Sequence, residues 1–139
     1  MLHHLTLWVP DLTRAETSWG WLLGELGYVV DRSVERLVLF RHPGGLAIAL
    51  ETSPDMVPGM LYSRMRPGLN HLAFAVSPAE RLQAITEDAS DHGWSLLPSD
   101  RHPIAGGALV AYLEDQDGFE VELVASGAGA DGGAGGVMR

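Results

Sequence analysis

The chain contains no cysteine and no lysine among its 139 residues, and these two absences exclude several kinds of chemistry. Without cysteine there is no thiol nucleophile, no disulfide and no thiolate metal site. Without lysine there is no Schiff-base chemistry and no P-loop lysine. All nine basic residues are arginine, against 18 acidic residues, so the formal net charge is −9. A chain this acidic is poorly suited to bind the phosphates of a nucleic acid or an anionic membrane surface.

Long apolar runs are also absent. No segment of about 18 apolar residues occurs, so the sequence predicts no helix that crosses a membrane. The N-terminal residues lead directly into a strand-like pattern, which does not have the form of a signal peptide. Hydrophobic residues make up 46% and charged residues 19% of the chain, which is typical of a globular domain. We therefore expect a cytoplasmic protein with no nucleic-acid or membrane partner.

The first part of the chain predicts one compact unit. Apolar and polar residues alternate over 2–9, which indicates a strand. A helical pattern follows, which Asp11 or Thr13 can cap and which Gly27 ends. Three short apolar runs then complete an order β-α-β-β-β, at residues 28–31, 36–40 and 46–51.

The same order recurs from residue 69. A strand at 69–76 precedes a helix that Ser77 and Pro78 open, and three strands follow at 94–97, 107–114 and 119–125. His4 and His71 are 67 residues apart, so the two halves share their spacing. Two modules of about 60 residues each are small to fold alone, so they should pack together.

This repeat defines the expected domain organisation. We expect one domain over 1–125, made of module one (1–52), a linker (53–68) and module two (69–125). The linker holds three methionines that can line an apolar pocket or cover the edge of the core: Met56, Met60 and Met65. Residues 126–139 are rich in glycine and predict a disordered tail.

The alternation of each strand also separates the two faces of its sheet. It puts His4, His71 and Glu122 on the face away from the helices, where the small Ala73 and Ala75 leave room. Two imidazoles and one carboxylate suit Fe, Mn, Co, Ni or Zn and leave coordination positions open. A strand histidine that faces a polar cavity can also be merely hydrogen-bonded, so parity alone leaves both interpretations standing.

Four segments occur in order at the spacing of the paired modules: HHLTLWVPDL, WLLGELGY, NHLAFAV and DQDGFEVEL. With these segments, residues 2–125 resemble the vicinal oxygen chelate superfamily, the group of glyoxalases, bleomycin-resistance proteins and extradiol dioxygenases. The resemblance implies an α+β fold in which two β-α-β-β-β modules form a cup-shaped open barrel with the helices outside.

The resemblance also implies a ligand set. Metal ligands of this superfamily lie on the first and fourth strands of each module, and those positions are His4, His71 and Glu122 here, with Ala49 at the fourth. Alanine cannot bind a metal, which speaks against the four-ligand glyoxalase I and methylmalonyl-CoA epimerase. A set of three protein ligands is similar to that of extradiol dioxygenases and of fosfomycin-resistance thiol transferases. The absence of lysine and of a potassium-binding loop speaks against the latter.

Further residues are candidates for catalysis or substrate binding. Glu51 has the parity of Ala49 and is a candidate general base or a solvated residue at the rim. His102 lies on a loop before a strand that borders the cavity, where it could exchange protons with a substrate, and Glu122 is both ligand and catalytic candidate. Three residues with the right parity are candidates for substrate contact: Trp8, Tyr112 and Glu114.

These inferences favour a metal-dependent enzyme. One divalent ion (Fe, Mn, Ni, Co or Zn) would bind a small substrate through two neighbouring oxygens and act as a Lewis acid in a lyase, isomerase, transferase or dioxygenase reaction. The alternative is a metal-free protein that sequesters an antibiotic, as bleomycin-resistance proteins do. We expect a homodimer in either case, in which His4 can meet the other two candidate ligands of the partner chain. His42 and His92 adjoin predicted turns, and we expect them to be solvated.

Overall fold

A computed structural model describes residues 1–98 and 109–125 of the chain. The elements run β-α-β-β-β twice, as the repeat predicts, with ends that differ from the predicted ones by a few residues. In chain order they are β1 (His4–Trp8), α1 (Leu12–Glu25), β2 (Val29–Val34), β3 (Leu37–Arg41), β4 (Ala47–Glu51), β5 (His71–Val76), α2 (Ala79–Asp88), a short 3-10 helix (Ala89–His92), β6 (Ser95–Leu97), β7 (Leu109–Glu114) and β8 (Glu120–Ala125).

Each module forms its own open four-stranded sheet, in the orders β1-β4-β3-β2 and β5-β8-β7-β6. The first and last strands of a module pair in parallel, and the other neighbours pair antiparallel. His4 lies opposite Ala47 in β1–β4, and His71 lies opposite Glu120 in β5–β8. The two histidines therefore occupy equivalent places, and the predicted α+β fold of two open mixed sheets is confirmed.

The helix α1 begins and ends where the sequence predicts. Asp11, rather than Thr13, is the N-cap, and its side chain accepts a hydrogen bond of 3.0 Å from the backbone N–H of Arg14. Gly27 adopts φ +89°, a left-handed conformation that lets the chain leave the helix toward β2. No helix in the described part of the chain is long and apolar enough to cross a membrane.

Trp19 of α1 connects the two modules through one shared hydrophobic core. Its ring is fully buried, 5.0 Å from that of Trp94 and 6.4 Å from that of Phe119, both in module two. Its indole N–H donates a hydrogen bond of 2.9 Å to Asp115. The helix of module one therefore packs against module two as well as against its own sheet.

Asp115 is the polar centre of this contact. One carboxylate oxygen accepts from Trp19, and the other accepts from the backbone N–H groups of Asp117 and Phe119, each at 2.9 Å. Burial raises the pKa of Asp115, while these three hydrogen bonds act in the opposite direction. The carboxylate thus holds the β7–β8 turn and the indole of α1 together.

Asp115→Asn should lower the free energy of unfolding by about 2 kcal/mol, because an amide N–H₂ would face the buried indole donor of Trp19 and leave it without an acceptor. Urea unfolding measures this change. The matched control is Asp91→Asn at an exposed position, which should change stability by less than about 0.5 kcal/mol. Equal stabilities of the two variants would contradict this account of Asp115.

Candidate functional site

The open face of module two brings His71 and Glu122 into contact. Nε2 of His71 lies 3.1 Å from Oε2 of Glu122. In the parallel β5–β8 register, Ala73 lies opposite Glu122, and its small side chain leaves the carboxylate room to reach the imidazole. Two of the three predicted metal ligands are therefore neighbours within one chain.

Asn70 contacts the other ring nitrogen of His71, Nδ1. The amide N–H₂ of Asn70 donates to the carbonyl oxygen of Arg64 at 3.1 Å, which turns its Oδ1 toward Nδ1 of His71 at 2.8 Å. Because an amide oxygen only accepts, this contact holds the imidazole proton on Nδ1. Nε2 then faces a carboxylate oxygen, where either a proton or a metal ion can lie between the two atoms.

Tyr112 of β7 lies directly opposite Glu122 in the antiparallel β7–β8 register. Its hydroxyl is 3.4 Å from Oε1 of Glu122, and its ring is fully buried. Burial raises the pKa of Tyr112, and the charges of Glu122 and Glu120 raise it further. The phenol therefore keeps its proton at neutral pH and donates a hydrogen bond to Glu122, so it orients a carboxylate rather than forming an open wall of the site.

A second carboxylate on β8, Glu120, forms an ion pair with an arginine from the linker. Arg64 contacts Glu120 at 2.9 Å and Glu114 at 3.1 Å. Glu114, a predicted substrate contact, is thus an ion-pair partner in this structure. The sequence analysis did not find Arg64, because nothing in a proline- and glycine-containing linker indicates which sheet face it crosses.

His4 lies on the corresponding open face of module one. It lines a cavity of about 230 Å³, and its Nδ1 is 2.8 Å from Nδ1 of His3. Parity favours His4 over His3 as a ligand, yet both rings line this cavity. The cavity is also lined by the polar or small residues Thr6, Ala49, Arg32 and Arg41.

His4 does not join His71 and Glu122 within one chain. Among residues 1–98 and 109–125, no three histidine or acidic side chains are grouped so that they could hold a metal ion. Each module therefore carries part of the predicted donor set on its own open face, two ligands in module two and one in module one.

The comparisons with known proteins agree with this architecture. Residues 3–112 match the family model of the glyoxalase/bleomycin resistance protein/dioxygenase superfamily. The chain belongs to this superfamily.

Relatives in this superfamily match nearly the whole chain. The uncharacterized protein YqjT of Bacillus subtilis is 37% identical over 127 residues, which are 89% of this chain and 98% of YqjT. The solved structure of a Bacillus halodurans protein assigned as a glyoxalase is 35% identical with a TM-score of 0.79, and it covers 90% of this chain and 95% of its own. FosX, the fosfomycin resistance protein of Listeria monocytogenes, has the same fold at 23% identity, with a TM-score of 0.64 and 92% of each chain covered.

Trp8 and Glu51, the other candidates on the superfamily's first and fourth strands, contact each other. The indole N–H of Trp8 donates to Oε2 of Glu51 at 2.9 Å, at the end of β1 and β4 away from His4. The Trp8 side chain is 46% exposed and lines a second cavity of about 200 Å³. Met56 and Met60 line this cavity as predicted, whereas Met65 is not among its lining residues.

Two of the remaining histidines are less exposed than predicted, and the third lies outside the described residues. His92 stacks on Trp21 with ring centres 4.3 Å apart, and His42 packs against Tyr28 at 5.0 Å. Both are half-buried rather than solvated, because each ring covers an aromatic side chain of module one. His102 lies outside the described residues.

All three tyrosines should ionise only above pH 10, because burial raises the pKa of each of them: Tyr28, Tyr62 and Tyr112. The ultraviolet absorbance of tyrosinate measures this during an alkaline titration. The control is the protein in concentrated urea, where ionisation should return to a pKa of about 10. Since folding favours the protonated phenols, stability should fall as the pH rises above about 10. A native tyrosine that ionises at its ordinary pKa would contradict the burial.

Proposed function

We propose that the chain is a metal-dependent enzyme that acts on a small oxygenated substrate. One divalent metal ion would be held by His71 and Glu122 of one copy together with His4 of the partner subunit. The observation that carries this proposal is the contact between Nε2 of His71 and the Glu122 carboxylate, with the imidazole proton held on Nδ1 by Asn70.

The chemistry of the donors fits such an ion. Nε2 of His71 and Oε2 of Glu122, 3.1 Å apart, are both ligand atoms for a divalent ion, which would bind in place of the proton that otherwise joins them. Asn70 and Tyr112 are the residues behind these two donors, one on each, which is how metal ligands are usually oriented. A bound metal would supply Lewis-acid stabilisation of negative charge that develops on a substrate oxygen.

In this proposal a second copy of the chain supplies the third ligand, the partner's His4. The open face of module one leaves apolar side chains uncovered, among them Trp8, Val29 and Val34. The same face carries Arg32 and Arg41 at its cavity. Exposed apolar patches of this kind are usually covered by a partner, and closed two-fold pairs are the commonest assembly.

The substrate class follows from the space around the ligands. Ala49 and Thr6 are neighbours in register on the face of His4, so a position that could have held a fourth ligand is open to a substrate oxygen. A FosX variant, which shares the fold, has been solved with Mn(II) and 1S,2S-dihydroxypropylphosphonic acid, a small molecule with neighbouring oxygens. We infer a substrate that chelates the metal through two such oxygens.

Variants at the His–Glu pair test the metal. Asn70→Ala should weaken metal binding about 10- to 100-fold, the usual cost of losing a residue that orients a ligand. His71→Ala should weaken it more, because a ligand itself is lost. Metal stoichiometry after dialysis against a weak chelator measures both, and His42→Ala, remote from the pair, is the control that should keep full content.

A mixing experiment tests whether two copies share the site. His4→Ala and Glu122→Ala should each lack metal as pure dimers. After unfolding and refolding together, random association should restore about a quarter of the wild-type metal, since half the dimers are mixed and each has one intact site of two. No recovery despite confirmed mixed dimers would contradict a shared site.

Absence of metal from the wild-type protein would contradict the enzyme proposal as a whole. If wild-type protein grown with Fe, Mn, Co, Ni and Zn holds none of them, the enzyme proposal is wrong. The metal-free alternative then predicts that calorimetry detects binding of a cationic antibiotic such as bleomycin by the same preparation.

A further inference from the structure

Two arginines line the same cavity as the candidate ligand His4. His4 lies on β1, whereas Arg32 and Arg41 come from β2 and β3 at the other side of the module-one sheet. None of the described residues that line this cavity is acidic. The chain as a whole has a formal net charge of −9, so a cavity with arginines and no acid in its lining is a local exception to its charge.

The strand registers place these three side chains on one face of the sheet. His4 lies directly opposite Ala47 across β1–β4, and the β3–β4 register brings Arg41 to the other side of that alanine. Arg32 lies in the next row, on the same row as Ala49, from which β3 separates it. Neighbouring strands are about 4.8 Å apart, so His4 and Arg41 start about 10 Å apart with a small residue between them. One small molecule can therefore contact both.

An irregularity in β2 is what turns Arg32 onto this face. Val30 lies opposite Phe40 and Arg32 lies opposite Leu39, so Asp31 is an extra residue, as in a β-bulge. Without it, Arg32 would share the face of Val30 and of the buried Phe40, which packs in the core. Bulges beside active sites commonly redirect a side chain in this way.

The guanidinium groups keep donors for a ligand. Nε of Arg41 contacts Asp31 at 2.9 Å, with 50% and 44% of the two side chains exposed, and Asp31 is not among the residues that line the cavity. Within residues 1–98 and 109–125, no ion pair engages Arg32. The three side chains together have a net charge of about +1. A guanidinium presents its N–H groups as a planar fork that fits a carboxylate or a phosphate.

We propose that Arg32 and Arg41 bind an anionic oxygen group of the substrate, a carboxylate or a phosphate, at the end away from the metal. The substrate is then a small anion whose neighbouring oxygens chelate the metal beside His4. The metal-bound end rests on the proposed function, whereas the anion site depends only on module one. The cavity of about 230 Å³ lies below the roughly 300 Å³ at which pockets for drug-sized ligands begin, which suits a compound of a few carbon atoms.

Calorimetry with the full-length protein loaded with Mn(II) tests the charge of the ligand. The probes β,γ-dihydroxybutyrate and its amide share a chelating diol and differ in charge, so the wild type should bind the carboxylate about tenfold more tightly. The third probe, α-glycerol phosphate, joins the same diol to a phosphate, and its affinity shows which of the two anionic groups the arginines prefer. Binding of both anions no tighter than the amide would overturn the proposal.

Variants of the arginines test where the anion binds. Arg32→Gln and Arg41→Gln should each weaken binding of the preferred anion about tenfold and leave the affinity for the amide nearly unchanged, because only the anion loses a charged hydrogen bond. The matched control is Arg36→Gln, an exposed position in the turn of the same hairpin that does not line the cavity. Arg32→Lys keeps the charge without the fork, and its affinity should lie between those of Arg32→Gln and the wild type. Equal effects of all three glutamine variants would contradict the proposal.

The outcomes separate this inference from the proposed function. Wild-type protein that binds no Mn(II) overturns the metal-dependent function, and phosphorus NMR titration of the metal-free protein with α-glycerol phosphate then decides the anion site. Binding that Arg32→Gln and Arg41→Gln weaken and Arg36→Gln does not supports the site, and binding without that dependence overturns it. Light scattering addresses a role in dimer contact: loss of dimers in Arg32→Gln and Arg41→Gln alone would assign the arginines to the partner interface and overturn the proposal.

Discussion

The parallel pairing of the first and last strands of each module is the constraint on which the rest of the structure depends. Parallel neighbours cannot be joined by a tight turn, so a crossover is required, and the helix of each module belongs to it. Because that helix covers one face of the sheet, the other face stays open. The pairing also brings the residues of β8 beside His71, which is how an imidazole and a carboxylate from distant parts of the chain meet.

The two modules share this framework but differ in what their open faces carry. In module one the residues opposite His4 and Thr6 are small, Ala47 and Ala49, and the acid of that strand, Glu51, lies opposite Trp8. In module two the equivalent strand carries Glu120 and Glu122. The two modules thus present a face with a histidine beside a cavity and a face with acids beside a histidine, and the proposed site combines one of each.

The linker between the modules is part of the site rather than a simple connection. Tyr62 and Arg64 both contact module two, and Arg64 reaches a nearly buried carboxylate there. Removing one partner of such an ion pair leaves an uncompensated charge, so the segment is fastened by electrostatics as well as by stacking. Asn70, the last residue before β5, contacts both the Arg64 carbonyl and the imidazole of His71, and so it connects the linker to that side chain.

The sequence by itself determined the local part of this protein. Alternation along the strands, the Asp11 cap, Gly27 and the 67-residue spacing of His4 and His71 predicted the elements and the faces on which candidate ligands lie, because periodicity and capping depend on neighbouring residues. Only the tertiary structure decided which of those residues meet. Parity places His4, His71 and Glu122 on open faces alike, yet only the last two are in contact within one chain. The ion pair of Arg64 with Glu120 likewise depends on the path of an irregular linker over the sheet, and no short-range pattern in a sequence determines such a path.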